Sequence, residues 1–181
     1  MDVLVIYESM YGNTHQVAEA IGDGLGAVGD VLVASVHDVE AHALEGCALL
    51  VVGGPTHVHG MSRPSSRTAA VAAAADDDDL VIEPDAAGPG LREFFGELRR
   101  GLTGQAAAFD TRVDKSVMLT GSAAKGIAKQ LRKHGFDLAA DPESFFVEDS
   151  DGPLASGELE RARAWGATLA RMVERAPEGS G

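Results

Sequence analysis

The run Val3–Tyr7 (VLVIY), near the start of the chain, constrains the fold more than any other segment. Five consecutive strand formers without alternating polar residues indicate a strand that is buried on both faces, as in a parallel sheet. A glycine-containing turn follows, and then Val17, Ile21 and Leu25 recur at four-residue spacing, which predicts a helix with one buried face. A buried strand that leads through a short turn into an amphipathic helix indicates an α/β fold.

Four further segments have the composition of strands, and most of them are separated by helical patterns. We predict these strands at Val31–Val36, Cys47–Val52, Gln105–Thr111 and Ser144–Glu148. Strands that alternate with helices imply a parallel sheet with helices on both faces. Five strands fit the doubly wound order 2-1-3-4-5. In such sheets ligands bind beyond the carboxyl ends of the strands, at the switch between strands one and three.

The chain of 181 residues is long enough for one domain with a sizeable core, which we place at 1–176, followed by a disordered tail at 177–181. Residues 61–90 are too long for an ordinary connection, so we interpret them as an insertion between strand three and helix three. We expect a helix around Ala69–Ala75 and a mobile, solvated tip at Asp76–Asp79, with docking of a basic partner as the alternative for the aspartates. Little of the stability should reside in this insertion.

The charge balance excludes several classes of function. Fifteen basic and 28 acidic residues give a net charge of −13, which repels phosphate backbones and anionic lipids, so we expect no nucleic-acid or membrane partner. The N-terminus carries no basic region, and no stretch approaches the roughly 20 apolar residues of a membrane helix, which favours a cytoplasmic protein. The single cysteine, Cys47, excludes an internal disulfide and a cysteine-based zinc site.

The loop after the first predicted strand supplies only neutral hydrogen-bond donors. Ser9 and Thr14 carry hydroxyls, Asn13 carries an amide, and Gly12 gives the turn conformational freedom. Backbone N–H groups at the start of a helix bind phosphate with help from the helix dipole. The loop lacks both the lysine of a nucleoside-triphosphate loop and the G-x-G-x-x-G of a dinucleotide site. We therefore predict a mononucleotide phosphate here, with a capped turn that binds nothing as the alternative.

The segment Ser9–Thr14 (SMYGNT) resembles the FMN phosphate loop of the flavodoxin family, whose usual form is Thr/Ser-x-Thr-Gly-Asn-Thr. The matching residues are Ser9, Gly12, Asn13 and Thr14. Tyr11 departs from the usual hydroxyl residue, and the start formed with Met10 is more similar to flavodoxin-like NAD(P)H:quinone oxidoreductases. The resemblance covers most of the chain except 61–90, and it implies a flavodoxin-like doubly wound sandwich that binds FMN.

The same resemblance implies that the loop after strand three packs against the flavin ring. Gly53–Met61 (GGPTHVHGM) resembles the family pattern Gly-x-Pro-x-x-x-x-Gly. The implied contacts are Pro55, Thr56, His57, Val58, His59 and Gly60. We predict ring contact by at least one of the two histidines, with exposed loop polarity as the alternative, and no metal site, because two histidines lack further ligands. Gly60 tolerates two backbone conformers, so its peptide is our candidate for reorienting near the flavin N5 atom.

The third predicted loop begins after strand four and contains Asp110, Thr111 and Arg112. Flavodoxins complete the flavin pocket here, often with a tyrosine, but none occurs between Asp110 and Gly121, which implies a more open pocket and weaker binding. Two interpretations remain for the charged pair. Asp110 and Arg112 either pair with each other across the turn or bond the pyrimidine edge or the ribityl chain of FMN.

These features predict an FMN-binding, low-potential electron carrier without catalytic residues of its own, because the cofactor performs the redox chemistry. Its acidic surface favours basic reductase or oxidase partners, and we expect a monomer or weak dimer. One alternative is an FMN-dependent NAD(P)H:quinone oxidoreductase, which Tyr11 and the aromatic-poor loops favour. The other is a flavodoxin-like module that no longer binds flavin and serves as an interaction domain.

Overall fold

A mostly parallel sheet between two layers of helices forms the framework of the chain. The computed structural model describes residues 3–40, 44, 46–57, 59–77 and 80–175. The strands are β1 (Val3–Tyr7), β2 (Val31–Ser35), β3 (Leu49–His57), β4 (Gly60–Met61), β5 (Gln105–Val113), β6 (Asp137–Leu138) and β7 (Glu143–Val147). The helices are α1 (Asn13–Leu25), α2 (Pro64–Asp76), α3 (Leu91–Glu97), α4 (Val117–Thr120), α5 (Ala123–His134) and α6 (Glu158–Arg175).

The strand order is β2-β1-β3-β5, with β6 and β7 both pairing with β5 on its outer side. All of these pairs are parallel, and β4 alone pairs antiparallel, with β3. The predicted doubly wound order 2-1-3-4-5 is therefore confirmed, except that the fifth strand is split. β6 pairs with the beginning of β5 and β7 with its end. The sequence predicted only the second half, because the two residues of β6 are too few to show a strand pattern.

The central strands β1, β3 and β5 are buried on both faces over most of their length, as the continuous apolar runs predicted, whereas the edge strand β2 exposes Leu32. In β3, Leu50 and Val52 pack in a core with residues of α3 and α5, whereas Leu49 and Val51 pack with residues of α1 and α6. Successive side chains alternate between faces, so a strand covered on both sides must be apolar at every position. Within the described ranges, no helix is both long enough and apolar enough to cross a bilayer.

Two neighbouring strands, β3 and β5, extend further than predicted. β3 continues through Gly53, Gly54 and Pro55 to His57, and β5 continues to Val113, so the ladder between them reaches as far as the pairing of Pro55 with Thr111. The glycines suggested a turn, but a Cβ atom on Gly53 would lie 2.0 Å from the ring of Phe109. Glycine inside a strand here permits a close approach of that ring and does not end the strand.

Residues 61–90 pack against the rest of the molecule more closely than their composition suggests. The helix α2 begins at Pro64, five residues before the predicted alanine-rich stretch, and its Arg67 is only 4% exposed. Ala70 and Ala86 are buried in a small cluster with Met10 from the first loop. The segment therefore contributes some packing, while the expectation that little of the stability resides in it stays a prediction. Asp78 and Asp79 lie outside the described residues, as does the tail at 177–181, so the solvated tip and the domain limits stay predictions.

Candidate functional site

A cavity of about 230 Å³ is lined by residues at the carboxyl ends of β1, β3 and β5. This position is the predicted switch point of the sheet, where the connections from β1 and β3 leave toward opposite faces. The structure brings most of the predicted site residues together in its lining. They are Ser9, Met10, Tyr11, Asn13, Thr14, Pro55, Thr56, His57, Thr111 and Arg112. Three lining residues were missed by sequence reasoning: Val113, Val147 and Ser150.

The other predicted site residues do not line this cavity. Gly12 contributes its backbone to the first loop, and Asp110 is completely buried beneath the site. His59 is exposed in the connection between β3 and β4, where it has a positive φ of 71° and forms a bridge with Gly121. Gly60 pairs with His57 in the β3–β4 ladder. Of the two histidines, His57 is thus the one placed to contact a ring. Val58 lies outside the described residues.

The first loop forms a compact turn that ends where α1 begins. The N–H of Gly12 donates to Ser9 Oγ over 3.1 Å, and Gly12 adopts a left-handed conformation with φ of 83° that a side chain would strain. The hydroxyls of Thr14 and Thr111 are 2.7 Å apart, and the amide of Asn13 donates to the carbonyl of Asp151. Neutral hydroxyl and amide groups therefore lie near the start of α1. The first N–H groups of a helix have no hydrogen-bond partners within the helix.

Glu8 precedes this loop, and its carboxylate points away from the loop. Glu8 is buried and accepts hydrogen bonds from the N–H of Leu91, over 2.8 Å, and from the hydroxyl of Ser62. Arg67 donates to the same Ser62 hydroxyl over 2.9 Å and pairs with Glu93 over 3.1 Å. The carboxylate thus joins α2 and α3 to the end of β1, and it does not oppose an anion at the start of α1.

Asp110 bonds residues of β3 and of the start of α5, so the interpretation in which it pairs with Arg112 is wrong. One carboxylate oxygen of Asp110 accepts bonds from the Ser122 hydroxyl over 2.7 Å, the Thr56 hydroxyl over 2.9 Å and the Ala124 N–H over 2.9 Å. Ser122 and Ala124 lie at the start of α5, whose positive dipole end attracts a carboxylate. Asp110 therefore fixes Thr56 and α5 behind the cavity, while Arg112 bonds other groups.

Comparison with known proteins agrees with this architecture. The flavodoxin family model matches residues 5–88, the part that contains the first loop and β3. A flavodoxin from the domain Archaea superposes with a TM-score of 0.62 at 23% identity, over 96% of this chain and 99% of its own. Flavodoxin 1 from Bacillus cereus gives 0.65 at 16% identity, over 94% and 98% of the two chains. The chain has a flavodoxin-like fold.

A third solved structure, a WrbA-like flavodoxin protein from Agrobacterium tumefaciens, superposes on this flavodoxin-like domain with a TM-score of 0.56 at 19% identity. The superposition covers 96% of this chain and 97% of the other. These structures share the fold. No curated protein sequence matches the chain significantly.

The flavodoxin family implies a flavin cofactor, and the residues of this domain fit one. The start of α1 offers hydroxyl and N–H donors without a nearby lysine, which suits one terminal phosphate. The apolar side chains of Met10, Val113 and Val147 line the cavity beside polar groups, as flavin-sized ligands with a large apolar ring require. Val147 is the last residue of β7 and Ser150 lies in the segment after it; neither belongs to a recognisable motif, so sequence reasoning had no signal that these residues line a site.

The aromatic groups at the cavity are those of Tyr11 and His57. Burial lowers the pKa of His57, and the negative charge of Glu8 counteracts part of that shift. The His57 ring is therefore held neutral below the usual titration range of histidine, which allows it to lie against an uncharged ring. Burial raises the pKa of Tyr11, with a smaller contribution from Asp151, so its phenol also stays neutral.

The His57 shift predicts a pH dependence of stability. A histidine whose pKa is lowered by folding binds its proton more tightly in the unfolded chain, so stability falls as the pH drops below 6.5 and through the folded-state pKa. We expect His57→Gln to reduce this fall, measured by urea unfolding between pH 5 and pH 7.5. Replacement of the exposed His59 by Asn controls for the loss of one histidine. An unchanged pH profile in His57→Gln would contradict the assignment.

Proposed function

We propose that this flavodoxin-like domain binds FMN and acts as an electron carrier. The observation that carries this proposal is the neutral donor set of the first loop, which lies at the start of α1 and lines a cavity at the switch point of the sheet. FMN would supply one- and two-electron redox chemistry through its ring. The protein would supply binding, orientation and a partly water-free surrounding.

Individual residues take distinct parts in this proposal. The hydroxyls of Ser9 and Thr14, together with the N–H groups at the start of α1, would bind the phosphate of FMN. His57 and Met10 would contact the apolar part of the ligand, since both line the cavity and His57 is held neutral. Asp110 would act only indirectly, by positioning Thr56.

The charge of the chain bears on its partners. A net charge of −13 favours basic reductases or oxidases, and complementary charge raises their association rate at low ionic strength. We propose that such proteins dock at the carboxyl edge of the sheet, where the cavity opens, and that the domain meets them as a monomer or weak dimer. Binding of this kind weakens as salt is added.

A second candidate is an FMN-dependent NAD(P)H:quinone oxidoreductase. Its support is the lining of the cavity, in which the described rings are Tyr11 and His57 and no tryptophan or phenylalanine takes part. A flavin bound there would keep a face open to a nicotinamide or a quinone. The structural similarity to a WrbA-like flavodoxin protein is compatible with either candidate.

Two measurements separate these possibilities. The purified protein is incubated with FMN and then desalted. Its absorption spectrum should show the flavin bands at ~375 and ~450 nm. Absence of retained or titratable flavin would leave the domain as an interaction module. With flavin bound, rapid oxidation of NAD(P)H with a quinone acceptor would favour the enzyme. Reduction only through a separate reductase would favour the carrier.

Substitutions in the first loop test the phosphate assignment. We expect Ser9→Ala and Thr14→Ala each to weaken FMN binding by about 1–2 kcal/mol, or roughly 5- to 30-fold, because each removes one hydroxyl from the phosphate. Riboflavin, which lacks the phosphate, should bind these variants as it binds the parent. Thr168→Ala removes an exposed hydroxyl of α6 and serves as the control. Parent-like FMN affinity in both loop variants would place the phosphate elsewhere.

A further inference from the structure

Arg112 is a buried cation at the cavity. It lies near the end of β5, lines the cavity and is only 9% exposed. Its guanidinium donates from Nε to the Ser144 hydroxyl over 3.2 Å and from Nη1 to the carbonyl of Lys115 over 2.6 Å. Longer bonds run from Nη1 to the Val113 carbonyl and the Thr120 hydroxyl. Every acceptor is neutral, and none of these bonds uses Nη2.

Among the described residues, no carboxylate forms an ion pair or hydrogen bond with Arg112. Asp110, two residues earlier on the same face of β5, bonds to Thr56 and the start of α5, and Glu143 on the neighbouring strand pairs with Arg161 over 2.6 Å. Arg67, the other strongly buried arginine of the described chain, pairs with Glu93. Burial of an arginine without an anion costs stability, and 28 acidic residues offer many possible partners.

The guanidinium is also held in a fixed orientation. Its central carbon lies 5.0 Å from the ring centroid of Phe146, the residue that pairs with Arg112 in the ladder between β5 and β7. The ring and the bonds at Nε and Nη1 together restrict the rotation of the side chain. A preorganised cation that lacks an internal anion is suited to an anion supplied by a ligand.

We infer that Arg112 is the anion-binding residue of the cavity and binds a negatively charged group of the flavin nucleotide. This inference rests on the proposed FMN binding. The anionic group is either the phosphate or the pyrimidine edge of the ring, which gains negative charge on reduction. In the second case Arg112 stabilises the reduced cofactor, and it raises the potential against the lowering effect of the acidic surface.

The test compares the parent with Arg112→Gln in two measurements. If the anion is the phosphate, the variant loses about tenfold or more in affinity for oxidised FMN and much less for riboflavin, because it removes a charge-assisted hydrogen bond to the phosphate. If the anion is the reduced ring, both oxidised ligands bind as before, but the midpoint potential falls. A tenfold loss of affinity for the reduced form corresponds to about 30 mV in a two-electron couple.

Further variants make the comparison specific. Arg163→Gln removes the same charge from an exposed arginine of α6 and should change neither measurement. Arg112→Lys should recover part of the effect, because it keeps the charge without the planar fork. If melting curves show that Arg112→Gln does not fold, Arg112→Met, which leaves no polar head group unpaired, gives the same comparison.

The outcomes are distinguishable. A change in either measurement that is absent from Arg163→Gln supports the inference. FMN binding by the parent, with the same FMN-to-riboflavin ratio and the same potential in folded Arg112→Gln or Arg112→Met, overturns the inference alone. A parent that binds neither FMN nor riboflavin overturns the proposed function, and the role of Arg112 with it.

Discussion

Replacement of Arg67 by Ala is expected to lower the free energy of unfolding by about 1–3 kcal/mol, the usual cost of leaving a buried polar group without its hydrogen-bond partner. Arg67 is almost completely buried and bonds both Ser62 and Glu93, while Ser62 in turn donates to Glu8. The variant leaves the Ser62 hydroxyl without its donor and the Glu93 carboxylate without its cation. For a domain whose total stability is about 5–15 kcal/mol, this loss is severe.

Urea unfolding of the parent and of two variants measures this loss. Arg171→Ala removes an exposed arginine of α6 and should cost little, because isolated surface charges contribute about 0–1 kcal/mol. Arg67→Met should be milder than Arg67→Ala, since its side chain fills much of the same volume. A midpoint for Arg67→Ala equal to that of Arg171→Ala would show that residues 61–90 contribute little stability, as their composition alone suggests.

The Arg67 network also connects stability with the site. Glu8 is followed directly by Ser9, and its carboxylate is held away from the first loop by Ser62 and Leu91. Loss of Arg67 loosens Ser62 and so allows the negative charge of Glu8 to approach the start of α1. We expect FMN binding to weaken in Arg67→Ala even where the protein remains folded.

The framework of the fold was predictable because its signals are local. The apolar run Val3–Tyr7 is a strand with the predicted ends, and Val17, Ile21 and Leu25 are all fully buried in α1. Alternation of such runs with helices was sufficient for the strand order. The ends of β3 and β5 were not predictable, because the glycine at 53 is explained only by the Phe109 ring on the neighbouring strand.

The candidate site likewise contains a part that was predictable from local sequence and a part that was not. The donor groups of the first loop lie within six consecutive residues, so the sequence alone was enough to predict that Ser9, Asn13 and Thr14 belong to one site. Asp110 and Arg112 are close in sequence but have partners on other elements, such as Ser122 at the start of α5 and Ser144 on β7. Whether Asp110 and Arg112 bond each other or these other residues depends on the tertiary structure, and the sequence spacing of the two residues does not determine it. The burial of Arg67 in an alanine-rich helix was likewise not predictable from the sequence, because its partners Ser62 and Glu93 lie outside that helix.

A comparison of FMN with riboflavin is expected to show the largest effect on binding. A phosphate at the start of α1 receives several charge-assisted hydrogen bonds, and two of them alone are worth about 3–6 kcal/mol. We therefore expect FMN to bind about a hundredfold or more tightly than riboflavin, which presents the same ring and ribityl chain without the phosphate. FAD, whose phosphate carries a second nucleotide, should also bind more weakly than FMN.

FMN binding through the first loop is tested most directly by titrating the apoprotein with FMN and riboflavin and following the quenching of flavin fluorescence. Thr14→Ala, measured in parallel, should reduce the difference between the two ligands. The expected result is strong quenching of FMN at concentrations where riboflavin remains fluorescent. Equal affinities of the parent for both ligands would contradict a phosphate site at Ser9–Thr14.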